Sequence, residues 1–111
     1  AEELPSNPVL GNDKSVQVRV ENISGVSLEN LIAETRLLGL IHDGEISDYI
    51  ELDSIANVPT IDFNLNGQLY HKGIEFCGTG LHYLKDGKFT YTIDYIDTDN
   101  IGFRVIITED V

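Results

Sequence analysis

Apolar and polar residues alternate strictly in several short segments, and this pattern constrains the fold more than any other feature. Residues 88–95 place Phe89, Tyr91, Ile93 and Tyr95 at every second position. A period of two residues matches an extended strand with one buried face, whereas an amphipathic helix repeats its apolar residues roughly every three to four positions. This segment is therefore predicted to be a β-strand whose four apolar side chains share one face.

Six further segments are predicted to be strands: residues 15–21, 28–35, 46–52, 60–65, 68–70 and 101–108. Within residues 28–35, the adjacent Leu31 and Ile32 interrupt the alternation. That interruption predicts a β-bulge or a strand buried on both faces, with a short helix as the alternative.

Two of these segments carry specific predictions about which side chains share a face. In residues 46–52 the predicted face consists of Ile46, Asp48, Ile50 and Leu52. In residues 101–108 the predicted inward face consists of Ile101, Phe103, Val105 and Ile107. The positions predicted to be buried in the core are Val18, Val20, Phe63, Leu65, Phe89, Tyr91, Ile93, Phe103 and Val105.

The dipeptide Asn66-Gly67 is typical of a type I′ turn, in which both residues have positive φ, and it predicts a β-hairpin. Turn signals recur roughly every 8–12 residues along the chain, a spacing typical of sandwiches and small barrels. The length of 111 residues fits one domain. We expect an all-β, immunoglobulin-like two-sheet sandwich of about seven strands over residues 15–111, preceded by an N-terminal tether of residues 1–14.

The charge balance excludes one class of partner. Seven Lys and Arg residues stand against nineteen Asp and Glu residues, which gives a formal net charge of −12. Such a surface repels the phosphates of nucleic acids and anionic lipid headgroups. The sequence therefore predicts no nucleic-acid partner and membrane association only through the tether, while a protein or glycan partner stays open.

The cysteine and histidine residues do not have the number or spacing that a disulfide or a zinc site requires. Cys77 is the only cysteine, so neither an internal disulfide nor a multi-cysteine metal site can form, and His42, His71 and His82 lack the spacing of a zinc site. Cys77 with His71 or His82 could be interpreted as a nucleophile and its base. An acidic chain does not lower a thiol pKa, however, so we interpret Cys77 as a buried core residue and the histidines as surface residues.

Asp94, Asp97 and Asp99 with Asn100 are the strongest candidates for chemistry, because hard oxygen ligands in a loop can bind calcium. An EF-hand loop starting at Asp97 fails at its fifth and twelfth positions, where Ile101 and Thr108 stand. No catalytic, cofactor-binding or metal-binding residue is predicted. A small calcium-dependent module or hydrolase using the Asp94–Asp99 loop remains the alternative.

Two other motifs have simple interpretations. A second acidic stretch is interpreted as the solvated side of a strand and its turns: Asp43, Glu45, Asp48, Glu51 and Asp53. The tripeptide Asn22-Ile23-Ser24 is formally an N-glycosylation sequon, which matters only in a eukaryotic secretory pathway.

Three segments carry a resemblance to a known family: residues 18–24 with Val20-Glu21-Asn22-Ile23-Ser24, residues 44–49 with Gly44-Glu45-Ile46-Ser47-Asp48-Tyr49, and residues 84–93 with Leu84-Lys85-Asp86-Gly87-Lys88-Phe89-Thr90-Tyr91-Thr92-Ile93. They resemble short exported lipoproteins of Bacteroidetes-type bacteria, a family of unknown function. The last segment is also similar to a pattern in transthyretin-like and other immunoglobulin-like sandwiches. The resemblance implies an exported sandwich, periplasmic or attached to the outer membrane or cell surface, and carries over no functional residue.

The start at Ala1 instead of Met fits this expectation of a processed precursor with an upstream export signal. The leading expectation is thus a non-catalytic module of the cell envelope or surface with a binding or structural role. Besides the calcium or hydrolase alternative, a third expectation is an assembly subunit that pairs with another subunit through an edge strand, as sheet edges permit.

Overall fold

The computed structural model describes residues 15–56, 58–73, 83–84 and 86–110, and all regular structure within them is β. The strands are β1 (Val16–Asn22), β2 (Leu28–Ala33), β3 (Arg36–Ile41), β4 (Ile50–Leu52), β5 (Ile55–Ala56), β6 (Ile61–Leu65), β7 (Gln68–Lys72), β8 (Tyr83–Leu84), β9 (Gly87–Asp97) and β10 (Gly102–Asp110). The predicted tether, residues 1–14, lies outside the described residues.

Eight of these strands form two four-stranded sheets, in the orders β10-β9-β1-β4 and β3-β2-β6-β7, and β5 pairs with β8 in a short ribbon. The two sheets pack against each other around one hydrophobic core. The all-β, two-sheet sandwich predicted from the alternating segments is therefore confirmed.

The first sheet contains a parallel pair. β9 and β10 form an antiparallel hairpin, whereas β1 runs parallel to β9, with Val18 beside Phe89, and antiparallel to β4, with Val18 beside Ile50. Neighbouring parallel strands need a crossover connection. The chain accordingly builds β2 and β3, β6 and β7 of the second sheet between β1 and β9.

The core follows the predicted alternation closely. Eight of the nine predicted core residues are buried, and the ninth, Val105, is partly buried against the core because its strand, β10, lies at the sheet edge. The rings of Phe63 and Phe103 approach across the sandwich with centroids 4.7 Å apart, and Tyr70 stacks on Phe63 at 5.1 Å. Aromatic packing of this kind adds about 0.5–1.5 kcal/mol per pair beyond the area that it buries.

The predicted hairpin is also confirmed. β6 and β7 pair antiparallel from Ile61 opposite Lys72 to Leu65 opposite Gln68. Asn66 and Gly67 connect them with φ values of 53° and 79°, as a type I′ turn requires.

Two residues predicted to face inward are exposed. The register of β9 against β10 shifts between Ile93 and Tyr95, so Asp94 is an extra residue and Tyr95 turns outward with 56% of its surface exposed. Ile96 takes the inward position instead. Ile101 lies in the turn before β10, has φ 54° and is exposed. The strand begins only at Gly102, so Ile101 is not part of its inward face.

The predicted strand at residues 46–52 is wrong in its first half. Only Ile50–Leu52 forms a strand, and Ile46 and Asp48 of the predicted face are exposed. The preceding segment is held by single contacts with β1: an isolated bridge joins Glu21 and Ile46, and the Ser47 amide donates to the Val20 carbonyl at 2.8 Å. One edge of the first sheet is thus continued by an irregular segment instead of a strand.

The prediction for residues 28–35 is corrected at its end. The strand stops at Ala33, and Glu34 and Thr35 form a turn with φ values of 51° and 69°. The predicted bulge is confirmed, because the register of β2 against β3 shifts between Leu28 and Leu31 and again between Leu31 and Ile32. The following strand, β3, was not among the predicted strands.

Candidate functional site

The acidic β9–β10 loop does not assemble a group of metal ligands. The Asp94 carboxylate accepts two hydrogen bonds from the Arg104 guanidinium, at 2.9 and 2.7 Å. This bidentate pairing holds the pKa of Asp94 below its usual value. Among the residues that the structure describes, no three His, Cys, Asp or Glu side chains are placed to share one ion.

Asp97 has a structural role in the same loop. Its carboxylate accepts hydrogen bonds from the side-chain amide of Asn100 at 2.8 Å and from the backbone amides of Asn100 and Asp99 at 3.2 and 3.1 Å. These bonds lower the pKa of Asp97. An Asp that bonds the backbone two and three residues further on stabilises the turn itself.

The second acidic stretch also contains turn contacts. Asp43 accepts from the Gly25 amide at 2.9 Å, Glu45 accepts from the His42 amide at 2.8 Å, and Glu51 accepts from the Ser15 hydroxyl at 2.9 Å. These carboxylates connect neighbouring loops and strand ends. They do not converge on a common point.

The histidines that the structure describes lie apart and have local partners. The Nδ1 atom of His42 lies 2.9 Å from the Ser27 hydroxyl, and the Nδ1 atom of His71 hydrogen-bonds Asp62 across the β6–β7 hairpin. Cys77 and His82 lie outside the described residues, so the interpretation of Cys77 as a core residue stays a prediction.

Asn22, the sequon asparagine, is a structural residue. Its side chain is fully buried, and its amide nitrogen donates to the carbonyls of Val26 at 2.7 Å and Ile41 at 3.0 Å. Its amide oxygen accepts from the backbone amide and the hydroxyl of Ser24. The side chain thereby joins the end of β1 to the end of β3, and its nitrogen is not accessible for glycosylation in the folded domain.

A polar cluster, which we call the Tyr49 cluster, covers the outer face of the first sheet and consists of Tyr49, Asp110, Thr90 and Arg19. The Tyr49 hydroxyl and the Thr90 hydroxyl each donate to one Asp110 oxygen at 2.7 Å, and Arg19 donates to Thr90 at 2.9 Å. The Arg19 guanidinium also lies 4.9 Å from the centre of the Tyr49 ring. The cluster ties the segment before β4 to the far edge strand, β10.

The charges in this cluster shift two pKa values in opposite directions. The hydrogen bond with Asp110, together with partial burial, raises the pKa of Tyr49. Desolvation acts to raise the pKa of Asp110, but the hydrogen bonds from Thr90 and Tyr49 and the nearby Arg19 charge outweigh it, so the net shift is downward. Because the Tyr49 and Thr90 hydroxyls, the Arg19 Nε and one Asp110 oxygen are bonded to one another, we assign the cluster a stabilising role.

A second polar contact crosses the sandwich. Tyr91 is buried on β9, and its hydroxyl donates to Glu34, in the β2–β3 turn, at 2.8 Å. Burial, and then the Glu34 charge, raise the pKa of Tyr91. Glu34 also accepts from the Thr60 amide at 3.2 Å. The turn that leads into β3 is therefore held by the hydrogen bonds of Glu34 with Tyr91 and Thr60.

The outstanding surface feature is the outer edge of β3, one of the two edge strands of the second sheet. No strand among the described residues pairs with this edge, which we call the free edge of β3. Leu37 is 69% exposed and Leu40 is 52% exposed, and across a groove the side chain of Ile46 is 47% exposed. An edge strand with exposed apolar side chains is an open template for pairing with another chain, and proteins usually protect such edges with charges, prolines or covering loops.

The groove itself lies between the edges of the two sheets and has a volume of about 350 Å³. One wall is formed by β3, and the other by the irregular segment of residues 45–48 that bonds to β1. Its lining residues are Leu37, Leu38, Leu40, Ile41, Glu45, Ile46, Ser47 and Asp48. The lining thus combines a floor of leucine and isoleucine with the polar residues Glu45, Ser47 and Asp48, so the groove has mixed polarity. Its two charged side chains, Glu45 and Asp48, form the rim and are both acidic.

A second surface groove, of about 390 Å³, has different properties. It is lined by Val26, Ser27, Glu29, Leu65 and Asn66, at one end of the second sheet. The strands next to it, β2 and β6, are each paired on both sides, so this groove offers no free strand edge. The β3 groove is therefore the candidate functional site.

The sequence contained one signal for this site. Residues 37–41 form the longest apolar run of the chain, yet that run has no strict alternation and contains Gly39, which adopts φ 84°. A run of apolar residues that carries exposed leucines on an edge strand is unusual for a surface. The position of residues 37–41 beside residues 45–48 depends on the tertiary structure and cannot be predicted from a local sequence pattern.

In the described part of the chain, no helix is long and apolar enough to cross a membrane. Comparisons of the chain with protein-family models, with curated proteins and with solved structures found no significant match.

Proposed function

We propose that the domain is a non-catalytic, exported module of the cell envelope or surface that binds a protein partner along the β3 groove. The observation that carries this proposal is the combination of a free strand edge with the exposed side chains of Leu37, Leu40 and Ile46. A contiguous exposed apolar patch with a polar rim is typical of an interaction site.

A protein fits this groove better than the other partner classes. Sugar hydroxyls placed against the exposed Leu37, Leu40 and Ile46 side chains find no hydrogen-bond partners there, and burying hydroxyls without partners costs free energy. Nucleic acids are disfavoured by the acidic rim and by the formal net charge of −12. An apolar protein side chain releases water from the exposed Leu37, Leu40 and Ile46 side chains.

The non-catalytic part of the proposal is supported by the chemistry of the acidic loop. Asp94 is bound to Arg104, and Asp97 is bound to the backbone of its own turn. Among the described residues, neither carboxylate belongs to a group of three or more His, Cys, Asp or Glu side chains that could share a calcium ion. Export and a position in the envelope are supported by the resemblance of residues 18–24, 44–49 and 84–93 to small exported lipoproteins.

A site-specific photo-crosslinker tests this proposal. We would place the reactive residue at Leu37 in one protein and at Leu69 in a matched control, since Leu69 is 57% exposed on β7, away from the groove. The expected result is a partner that crosslinks from position 37 and not from position 69.

The affinity of that partner, once purified, provides the second half of the test. We expect the double variant Leu37→Ser/Leu40→Ser to weaken binding at least tenfold and Leu69→Ser to leave it unchanged. Equal crosslinking from both positions, or an unchanged affinity of the double variant, would contradict the proposed site.

A further inference from the structure

We propose that the partner enters the β3 groove as an added β-strand, and that this strand combines inward apolar side chains with flanking Lys or Arg side chains. This inference rests on the proposed function and specifies the chemistry of the partner. It follows from the backbone of β3, from the groove floor and from the acidic rim.

The backbone of β3 presents hydrogen-bonding groups to an added strand at Leu37. Ala33 and Arg36 flank the two-residue turn and pair with each other. In a two-residue hairpin the flanking residues exchange both backbone hydrogen bonds, so the amide and carbonyl of the next residue, Leu37, point away from β2. These groups face the open side of the sheet, where an added strand would lie about 4.8 Å away.

The groove floor selects apolar side chains at alternate positions. Leu38 and Ile41 pack toward the core, and Ile46 lies on the opposite wall. Side chains of an added strand alternate between the two faces of the sheet, so every second one would enter the space between β3 and residues 45–48. Apolar side chains there extend the core that Leu38 and Ile41 begin.

The rim selects positive charge at the ends of such a segment. Glu45 and Asp48 line the groove beside Ile46. Lys and Arg can pack their aliphatic stems along leucine and isoleucine while the charged groups reach a carboxylate. Complementary charge also accelerates association with a chain of net charge −12.

The same charges disfavour two other occupants. A second copy pairing β3 with β3 about a two-fold axis would bring Glu45 and Asp48 of both copies together. Residues 1–14 contain Glu2, Glu3, Pro5 and Pro8, so as a donor strand they would add negative charge and lack two amide donors. The occupant that fits is an extended segment of another, basic protein.

Three synthetic peptides test the inference against the full 111-residue chain. The first has the sequence Lys-Val-Thr-Val-Thr-Val-Arg, the second replaces its Lys and Arg by Glu, and the third repeats the first with N-methyl groups on alternate amides. N-methylation keeps the side chains but removes the backbone donors that strand pairing needs. Two-dimensional NMR of the labelled chain gives both the affinity and the site of binding.

We expect the first peptide to shift the amide signals of Leu37, Leu40 and Ile46 and to bind at least tenfold more tightly than each of the other two. The variant Glu45→Gln/Asp48→Asn should lose most of the preference for the basic peptide, and Leu69→Ser should behave as the unmodified chain. Glu45→Gln keeps an oxygen that can accept from the His42 amide, which the Glu45 carboxylate does in the unmodified chain.

The contradicting outcomes are distinct. Equal binding of the N-methylated peptide would overturn strand addition, and equal binding of the acidic peptide would overturn the charge preference, while the groove would still be a binding site. Absence of binding by all three peptides would overturn the inference and leave the crosslinking test to decide the proposed function. If the unmodified chain is a dimer and Leu37→Ser/Leu40→Ser is a monomer, the occupant of the groove is a second copy of the chain. If the peptides bind only after removal of residues 1–14, the occupant is that N-terminal segment. Either result would contradict a separate basic protein as the partner.

Discussion

At the scale of single residues, a few buried or partly buried polar side chains join elements that are distant in sequence. Asn22 joins β1 to β3, Tyr91 joins β9 to the β2–β3 turn through Glu34, and Asp110 joins β10 to Tyr49. A buried polar group that loses its partner costs about 1–3 kcal/mol, so these contacts matter more than exposed ion pairs such as Asp94–Arg104.

Replacing Asn22 with Ala should lower the free energy of unfolding by about 2–3 kcal/mol, because the buried carbonyl of Ile41 and the carbonyl of Val26 lose their donor. Urea denaturation measures this change. The control is Asn100→Ala, which removes a side-chain hydrogen bond in an exposed turn and should cost less than about 1 kcal/mol. Equal effects of the two variants would show that Asn22 has no special role.

The acid sensitivity of the fold should depend on Asp110, whose pKa is lowered in the folded state. A lowered folded pKa adds stability above the unfolded pKa of about 3.9, and this contribution is lost as the pH falls through the folded pKa. Asp110→Asn should therefore be less stable than the unmodified chain at neutral pH and lose less stability below about pH 4. Unfolding measured from pH 7 to pH 2 would contradict this if the two curves stayed parallel; the exposed Asp53→Asn serves as a control.

At the scale of elements, the turns determine which strand edges are presented. The Asn66-Gly67 turn places β7 at one edge of the second sheet, and the Glu34-Thr35 turn places β3 at the other. Only the first of these turns uses the residues that a type I′ turn favours. The second has side chains at both positive-φ positions and is supported by the hydrogen bond between Glu34 and Tyr91.

Gly67→Ala should destabilise the domain by about 1 kcal/mol, whereas Gly102→Ala should change its stability very little. A Cβ atom meets no neighbour within 4 Å at either position, but Gly67 has φ 79° and Gly102 has no positive φ. The comparison of thermal or urea unfolding therefore isolates the backbone conformation from packing. A stability of Gly67→Ala equal to that of Gly102→Ala would argue against the turn.

At the scale of the whole molecule, the sequence predicts those parts of the fold in which a strand buries one face and exposes the other. The alternation of β1, β6, most of β9 and residues 103–108 of β10 follows from that environment. The orientation of Tyr95 could not be predicted, because the extra residue at Asp94 reverses the alternation without changing the pattern. β3 escaped prediction because Leu37, Leu38 and Leu40 do not alternate and the turn before it carries no Gly or Asn.

The candidate site was less predictable than the fold. The acidic residues of the β9–β10 loop attracted attention by composition, yet the Asp94 carboxylate is bound to Arg104 and the Asp97 carboxylate to backbone amides. The groove depends on two segments, residues 37–41 and 45–48, whose adjacency arises when the edges of both sheets meet. Local sequence patterns predict single elements and contain no information on tertiary contacts between them.

Binding at the free edge of β3 should protect that edge from solvent and leave the other sheet edges unchanged. The most direct test is amide hydrogen exchange of the full chain, measured with and without the partner captured at position 37. We expect slower exchange in residues 37–41 and 45–48 and unchanged exchange along β10, the long edge strand of the other sheet. Slower exchange along Gly102–Asp110, with no change in residues 37–41, would contradict it.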